Sequence, residues 1–126
     1  MKIVRFNDLS FIPASHEDPK DPGALKKILL KQGDLPEGRI QMINWARLPK
    51  GKTFAPHYHE HMIEVFIIMN GKVRAKIDND EAVLEKGDMV IAREREIHSF
   101  ENLSDEDVDY LAMGVVTSEG GKTVNV

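Results

Sequence analysis

Short apolar segments, separated by Gly, Pro, Asn and Asp, follow one another along the chain, and this punctuation constrains the fold more than any other feature. Strands need only about four to eight residues, whereas a helix needs a longer run with a 3.6-residue period. No internal repeat or low-complexity stretch interrupts the pattern. We therefore expect an all-β sandwich or barrel and, at 126 residues, a single domain with one core.

Composition and charge exclude several classes of protein. Hydrophobic residues make up 41% of the chain and charged residues 30%, a balance that is typical of a globular protein. The net charge is −4 and no run of Lys or Arg alternates with aromatic residues, so we expect no nucleic-acid partner. The first eight residues are charged and never reach a long apolar stretch, which predicts a cytoplasmic protein without a signal peptide or a membrane partner.

The chain has no cysteine. Disulfides, thiolate nucleophiles and zinc-finger sites are therefore excluded, and the strong metal donors that remain are imidazole nitrogen and carboxylate oxygen. A metal site in this chain has to be built from His, Asp and Glu.

The two ends of the chain carry weaker signals. Residues 1–38 are interpreted as an N-terminal arm, with a loop at residues 18–23 because Pro19 and Pro22 fix φ and lack a donor N–H. Residues 25–31 could be a helix or an edge strand, since a short apolar run does not settle the period, and we favour a strand. The polar residues 117–126 predict a loosely held tail.

The clearest local signal is Asn70-Gly71. Both residues tolerate the positive φ that a two-residue type I′ turn requires, and strand-like segments flank them, which predicts a β-hairpin. Pairing Met69 with Lys72 then places alternate side chains on one face, which we assign to the barrel interior. These side chains are Glu64, Phe66, Ile68, Val73, Ala75 and Ile77.

Glu64 is the one charged side chain on this predicted interior face. A lone buried carboxylate is unfavourable unless a positive group meets it. The register therefore predicts a cation beside Glu64, and a metal ion would satisfy it.

The opposite face of the same segments is more apolar than a solvated face should be, with Val65, Ile67 and Met69 beside Arg74 and Lys76. Something is expected to cover it. The candidates are the N-terminal arm and a second subunit, and both can contribute; we expect a homodimer.

His57 and His59 flank Tyr58, so in an extended segment the two imidazoles lie on one face and can chelate one ion. Alone, such a pair is more often surface decoration than a site. Here its neighbours complete a longer spacing that resembles the first motif of the cupin superfamily, formed by Gly51, His57, His59, Glu64 and Gly71.

A second stretch resembles the second cupin motif in Gly87, His98 and Asn102. It departs from that motif at Arg93, where the family usually has Pro, and at Arg95, where it usually has Gly. The resemblance covers residues 51–102, with fifteen residues between the motifs, as in small single-domain cupins.

The resemblance implies a cupin double-stranded β-helix, a jelly-roll β-barrel, over residues 1–126, and metal ligands at His57, His59, Glu64 and His98. Three imidazoles and one carboxylate suit one divalent transition metal, Mn, Fe, Co, Ni, Cu or Zn, whereas Ca and Mg prefer oxygen shells. The alternative is an empty pocket whose buried histidines are satisfied by hydrogen bonds.

No catalytic residue can be assigned, and the weak candidates are Tyr58, Glu60, His61, Arg93 and Arg95. His61 and His16 are each either a solvated surface residue or a proton shuttle. The two arginines either hold an anionic substrate or form a solvated turn with Glu94 and Glu96.

The expected function is metal-dependent chemistry on a small polar molecule, a carboxylic or oxo acid or a sugar derivative. Similar small cupins include decarboxylases, dioxygenases and isomerases, which act by Lewis-acid or oxygen-dependent chemistry. The alternatives are a non-catalytic module that binds or senses a small molecule or metal, and a structural metal site.

Overall fold

The structure, a computed structural model, describes residues 1–118 and 122–126. A short 3₁₀ helix at Phe6–Asp8 is followed by eleven strands in this part of the chain. No helix in these ranges is long and apolar enough to cross a membrane. The strands are β1 Ile12–Pro13, β2 Leu25–Leu30, β3 Ile40–Leu48, β4 His57–His59, β5 Met62–Ile68, β6 Lys72–Ile77, β7 Asp80–Glu85, β8 Met89–Ala92, β9 His98–Asn102, β10 Val108–Val116 and β11 Thr123–Asn125.

The strands form two antiparallel sheets, as the all-β prediction requires. One sheet has the strand order β1-β2-β3-β10-β5-β8, and the other has the order β11-β4-β9-β6-β7. Their inner faces share one core, whose fully buried side chains include Phe54, Phe100, Leu48 and Ile68. The architecture is a double-stranded β-helix.

Strand β5 shows how the sequence sets the inner face. Its side chains alternate between buried and half-buried along the whole strand, because successive residues of a strand point to opposite sides. Glu64, Phe66 and Ile68 point inward, as do Val73 and Ala75 on β6, so the interior assignment of these five residues is confirmed.

The predicted hairpin across Asn70-Gly71 is wrong. Strand β5 pairs with β10 and β8, whereas β6 pairs with β7 and β9, so the turn carries the chain from one sheet to the other. Gly71 has a φ of +69°, but Asn70 does not adopt the positive φ of a type I′ turn. Its side chain instead accepts a hydrogen bond from the Asp109 backbone N–H at 2.8 Å and donates one to the Asp107 carbonyl at 2.9 Å. This anchors the turn to the start of β10. The assignment of these side chains to the barrel interior still holds, because the inner faces of both sheets pack on the same core.

Both ends of the chain join the sheets. Residues 25–30 form the strand β2, as favoured, and pair with β3. The C-terminal residues 117–126 were expected to be loosely held, but β11 pairs with β4 from Thr123 to Asn125, which corrects that expectation where the structure describes the tail. Residues 119–121 lie outside the described residues.

The predicted outer face is wrong as one surface, because Val65 and Ile67 lie on β5 in one sheet whereas Arg74 and Lys76 lie on β6 in the other.

The arm covers part of the outer face of the sheet that contains β5. The Phe6 ring lies 5.2 Å from the Trp45 ring, centroid to centroid, and the Lys27 ammonium lies 3.7 Å from the centre of the Phe6 ring. At the far edge of the same sheet, Met89 stays 53% exposed and Ile91 37% exposed. The arm therefore accounts for one end of this face and not for the other.

We expect a second copy of the chain to pack on this uncovered end, because exposed apolar side chains in one patch favour association. Light scattering on the purified protein should give twice the chain mass of 14.3 kDa. Replacing Ile91 by Lys should shift the mass to that of the monomer, while Val83→Lys on the other sheet should leave it unchanged. A monomeric wild type would refute the dimer.

Candidate metal centre

Three strands bring four potential ligands together inside the barrel. Strand β4 carries His57 and His59 on its inward face, β5 carries Glu64, and β9 carries His98. His57 lies directly opposite His98 in the antiparallel pairing of β4 with β9. On the other sheet Glu64 lies opposite Gly114, where a Cβ would collide with the side chains of Met62 and Met42.

The side chains of His57, His59, Glu64 and His98, which we call the ligand cluster, lie close together and are buried. Each offers one ligand atom, and these atoms lie within 4.8 Å of one another. His59 Nε2 is 2.9 Å from Glu64 Oε1, and His98 Nε2 is 3.1 Å from the same oxygen. The exposed fraction is 1% for His57 and His98 and 6% for His59 and Glu64.

Hydrogen bonds fix the orientation of each imidazole. His57 Nδ1 donates to the Ala55 carbonyl at 2.8 Å, and His98 Nδ1 donates to the Glu96 carbonyl at 2.9 Å. A carbonyl can only accept, so in the neutral tautomer Nε2 of each ring presents a lone pair to the centre. Such partners on the far nitrogen are typical of metal-binding histidines.

The third imidazole is held by the tail. The side chain of Thr123 on β11 lies with its Oγ1 3.1 Å from His59 Nδ1, which leaves His59 Nε2 directed at Glu64. Thr123 was not predicted, because nothing in the sequence places a residue 64 positions away beside His59.

These contacts test whether a metal fits. The neutral tautomer of His98 directs the Nε2 lone pair at a carboxylate oxygen, and two electron-rich atoms at 3.1 Å repel each other unless a cation lies between them. A divalent transition metal would take both, since its bonds to nitrogen and oxygen are about 2.0–2.2 Å long. The donor set fits such an ion.

The pKa values favour the ligand forms of these groups. Burial, with the nearby His16 and His98, lowers the pKa of His57 to about 3, so His57 is neutral at pH 7. Burial by itself raises the pKa of Glu64, but the adjacent His59 and His98 rings outweigh it and hold that pKa below its ordinary value. Glu64 is therefore ionised.

The structure places a fourth imidazole against the centre. The His16 ring stacks on the His57 ring with their centroids 4.0 Å apart and an interplanar angle of 16°. Burial lowers the pKa of His16 to about 4. Residue 16 lies in the arm, so its proximity depends on how the arm folds back and has no signal in the sequence.

Glu17 holds this part of the arm in place. Its carboxylate is 4% exposed and accepts three hydrogen bonds: from His16 Nδ1 at 2.5 Å, from the Gly23 N–H at 2.6 Å and from the Ala55 N–H at 2.7 Å. Ala55 is also the residue whose carbonyl orients His57. One carboxylate therefore ties the arm to the segment that leads into the ligand cluster.

Replacing Glu17 by Gln should lower the free energy of unfolding by about 1–3 kcal/mol, because an amide NH₂ would face one of the three buried donors. Urea denaturation of the purified variant measures the loss. Glu37→Gln, at an exposed position, is the matched control and should leave stability unchanged. Equal stability of the two variants would show that these hydrogen bonds do not hold the arm.

A cavity of about 240 Å³ opens beside the ligand cluster. Its floor includes His57, His59 and Glu64, and its walls come from the arm, β2, β3 and β10. Ala46 and Ala112 line the middle of the cavity, where larger side chains would fill it. Cavities for drug-sized ligands are roughly 300–1,000 Å³, so this one suits a smaller molecule.

The weak catalytic candidates lie elsewhere among the described residues. Tyr58, Glu60, His61, Arg93 and Arg95 are absent from the cavity lining. Both arginines are exposed. The Arg93 N–H donates to the Glu96 carboxylate at 2.6 Å, which favours the solvated turn over an anion site.

Arg95 shows how the departure from the second motif is accommodated. Its φ is +63°, in the left-handed region that a glycine adopts freely. Its N–H donates to the His59 carbonyl at 2.8 Å. The turn before His98 thus keeps a backbone conformation that favours glycine, although an arginine occupies it.

The comparison with protein families gives one match. The profile of the cupin domain family matches residues 44–114, which include all four members of the ligand cluster. A comparison with curated proteins found no match.

Solved structures share the fold. A Thermotoga maritima protein described as a predicted oxalate decarboxylase is 22% identical, with a TM-score of 0.80 over 91% of this chain and 99% of its own. A Silicibacter pomeroyi sugar phosphate isomerase from a cupin superfamily is 17% identical, with a TM-score of 0.72 over 98% of this chain and 92% of its own. An uncharacterised Klebsiella pneumoniae protein with a double-stranded β-helix domain is 15% identical, with a TM-score of 0.71 over 98% and 97%. At these identities the likeness concerns the fold.

Proposed function

The chain belongs to the cupin domain family, and from this premise we propose that it is a metal-dependent enzyme for a small polar molecule, a carboxylic or oxo acid or a sugar derivative. One observation carries the proposal: three imidazoles and a carboxylate form one cluster, and three of its members, His57, His59 and Glu64, line a cavity that a small molecule can enter. A purely structural site would be sealed on all sides.

His57, His59, Glu64 and His98 would hold the ion, which is Mn, Fe, Co, Ni, Cu or Zn. When bound, such an ion supplies Lewis acidity toward a carbonyl or carboxylate or, if it is redox-active, reactivity with oxygen. Four protein ligands leave positions open toward the cavity in an ion that takes five or six.

The protein's own side chains do three things in this proposal. The buried ligands, oriented by Ala55, Glu96 and Thr123, keep their donor atoms directed at one point. The buried Phe54 and Phe66 pack against the His98 ring and give the cavity an apolar wall beside the cluster. The small volume of the cavity limits the substrate to few atoms.

The test begins with metal content after anaerobic purification. Oxygen uptake and CO₂ release are then followed with small acids, diketones and sugars, and isomerisation of sugar phosphates by NMR. The descriptions of the Thermotoga and Silicibacter proteins make oxalate and sugar phosphates the first compounds to try. We expect one metal per chain and turnover of at least one class.

Each outcome separates the candidates. Iron with substrate-dependent oxygen uptake would identify a dioxygenase, and manganese with CO₂ release and no net oxygen consumption a decarboxylase. Tight ligand binding without turnover would refute the enzyme and support the alternative, a binding or sensing module. If the chain takes up no transition metal, both the dioxygenase and the decarboxylase are refuted.

A further inference from the structure

Lys26 is a cation on the inward face of a barrel strand. Alternation along β2 directs Lys26, Ile28 and Leu30 into the cavity, while Lys27 packs on the outer side against Phe6. Lys26 lies opposite Ala46 on β3, whose small side chain leaves space for the ammonium. A lysine among these inward-facing side chains is unusual, because the inner face of a barrel is normally apolar.

The ammonium has little compensation from the protein. Its Nζ donates to Ser15 Oγ at 2.6 Å, and no carboxylate among the described residues forms an ion pair with it. Partial burial lowers the pKa of Lys26, and the charge of Glu64 opposes that shift. A half-buried ammonium without a counterion is electrostatically unfavourable, so it favours an anionic partner.

The charges that line the cavity point the same way. Among the described residues, Glu64 is the one carboxylate in the lining, and it belongs to the ligand cluster. Lys26 stands on the wall and Lys31 at the exposed rim. A divalent ion bound at the cluster would leave the cavity with a net positive charge, which attracts anions and disfavours cations.

We propose that the cavity takes a small carboxylate anion, anchored by the Lys26 ammonium on its wall and directed toward the metal-ligand cluster on its floor. This inference rests on the proposed function and narrows its substrate class from small polar molecules to carboxylates. Because Lys26 already donates to Ser15 Oγ, the Ser15 hydroxyl hydrogen is free to donate to the same anion. Lys26 is thus a specificity-determining residue, and strand β2 carries it into the cavity.

The test is binding of malonate to the Zn²⁺-loaded protein by isothermal titration calorimetry, with metal content measured first. Zn²⁺ has no redox chemistry, so binding is measured apart from oxygen-dependent turnover. Lys26→Gln should raise the malonate Kd roughly 10- to 100-fold, which corresponds to the loss of one charge-assisted hydrogen bond. Lys26→Met, which keeps an unbranched side chain only one atom shorter and removes the charge, should have the same effect if Lys26→Gln unfolds.

Two controls isolate the charge. Lys20→Gln removes an exposed ammonium remote from the cavity lining and should leave the Kd unchanged. Malonamide, the neutral diamide of the same acid, should bind much more weakly than malonate. Unchanged malonate affinity in Lys26→Gln, or equal binding of malonate and malonamide, would overturn the anchoring role.

The inference and the proposed function fail separately. If Lys26→Gln leaves the malonate affinity of the metal-loaded protein unchanged, the anchoring role of Lys26 is wrong and the metal-dependent function is not affected. A chain that takes up no metal but binds malonate through Lys26 contradicts the metal-dependent function and supports the anchor. Absence of malonate, oxalate and pyruvate binding up to about 10 mM, a concentration that detects even weak complexes, would overturn the carboxylate class.

Discussion

Replacing His59 by Ala is expected to abolish stoichiometric metal binding while the barrel still folds. His59 Nε2 lies 2.9 Å from Glu64 Oε1, inside the group of four donors. Loss of a residue that merely orients a ligand lowers metal affinity about 10- to 100-fold, and loss of a ligand lowers it at least as much. Metal per chain is measured by elemental analysis after dialysis, and folding by circular dichroism.

His61→Ala is the matched control for this experiment. His61 is the same residue type two positions later, but its side chain is absent from the cavity lining and from the donor cluster. It should keep the wild-type metal content. Unchanged metal in His59→Ala, or loss of metal in His61→Ala, would show that the ion binds elsewhere.

Replacing Phe54 by Ala is expected to lower the free energy of unfolding by about 3–5 kcal/mol, since it removes a large ring from a close-packed core. Phe54 is 1% exposed, and its ring centroid lies 5.0 Å from that of Phe100 and 5.5 Å from that of His57. A domain is stable by only about 5–15 kcal/mol in total, so this one side chain decides much of the fold's stability. Urea denaturation with a check of the m-value measures the loss.

Val83→Ala controls for the removal of apolar atoms as such. Val83 is 57% exposed on β7, where truncation should change stability by no more than about 0.5 kcal/mol. Added Zn²⁺ gives a second readout, because a ligand that binds the folded state at about 100 times its Kd stabilises it by about 2.7 kcal/mol. If Zn²⁺ restores the stability of Phe54→Ala, the ligand cluster still binds metal when the ring is missing. If Phe54→Ala and Val83→Ala are equally stable, Phe54 does not have the predicted role.

Much of the fold could be predicted because the relevant signals are local. The alternation in β5 fixes which of its side chains point inward, whatever strand lies beside it. The strands β8 and β10 coincide with apolar runs that turn residues separate in the sequence. The pairing of β5 could not be predicted from its neighbour in sequence, because β10 begins about 40 residues later and competes for the same edge.

The error at Asn70-Gly71 has the same origin. The dipeptide favours a tight turn, but whether the two strands then pair or separate depends on the hydrogen bonds of Asn70 to Asp107 and Asp109. Those residues lie far along the chain. Turn chemistry therefore gave the position of the reversal and not the partner of either strand.

The candidate site likewise contains residues that the sequence predicts and residues that it does not. The spacing of His57, His59 and Glu64 predicts a chelating face because the period of a strand is two, and the resemblance to cupins adds His98. Ligands that lie close together in sequence carry a recognisable spacing. Residues that approach them through the folding of the arm and the tail carry none.

The sequence by itself determined the all-β fold, the inward face of β5 and the four residues of the ligand cluster, since each depends on local period, turn chemistry or motif spacing. The tertiary structure alone decided that His16 stacks on His57, that Thr123 orients His59 and that Lys26 stands in the wall of the cavity. The first two contacts join residues that are 41 and 64 positions apart in the chain. Their physical basis is the packing of the arm and tail onto the barrel, where buried hydrogen bonds such as those of Glu17 outweigh the entropy of holding both ends in place.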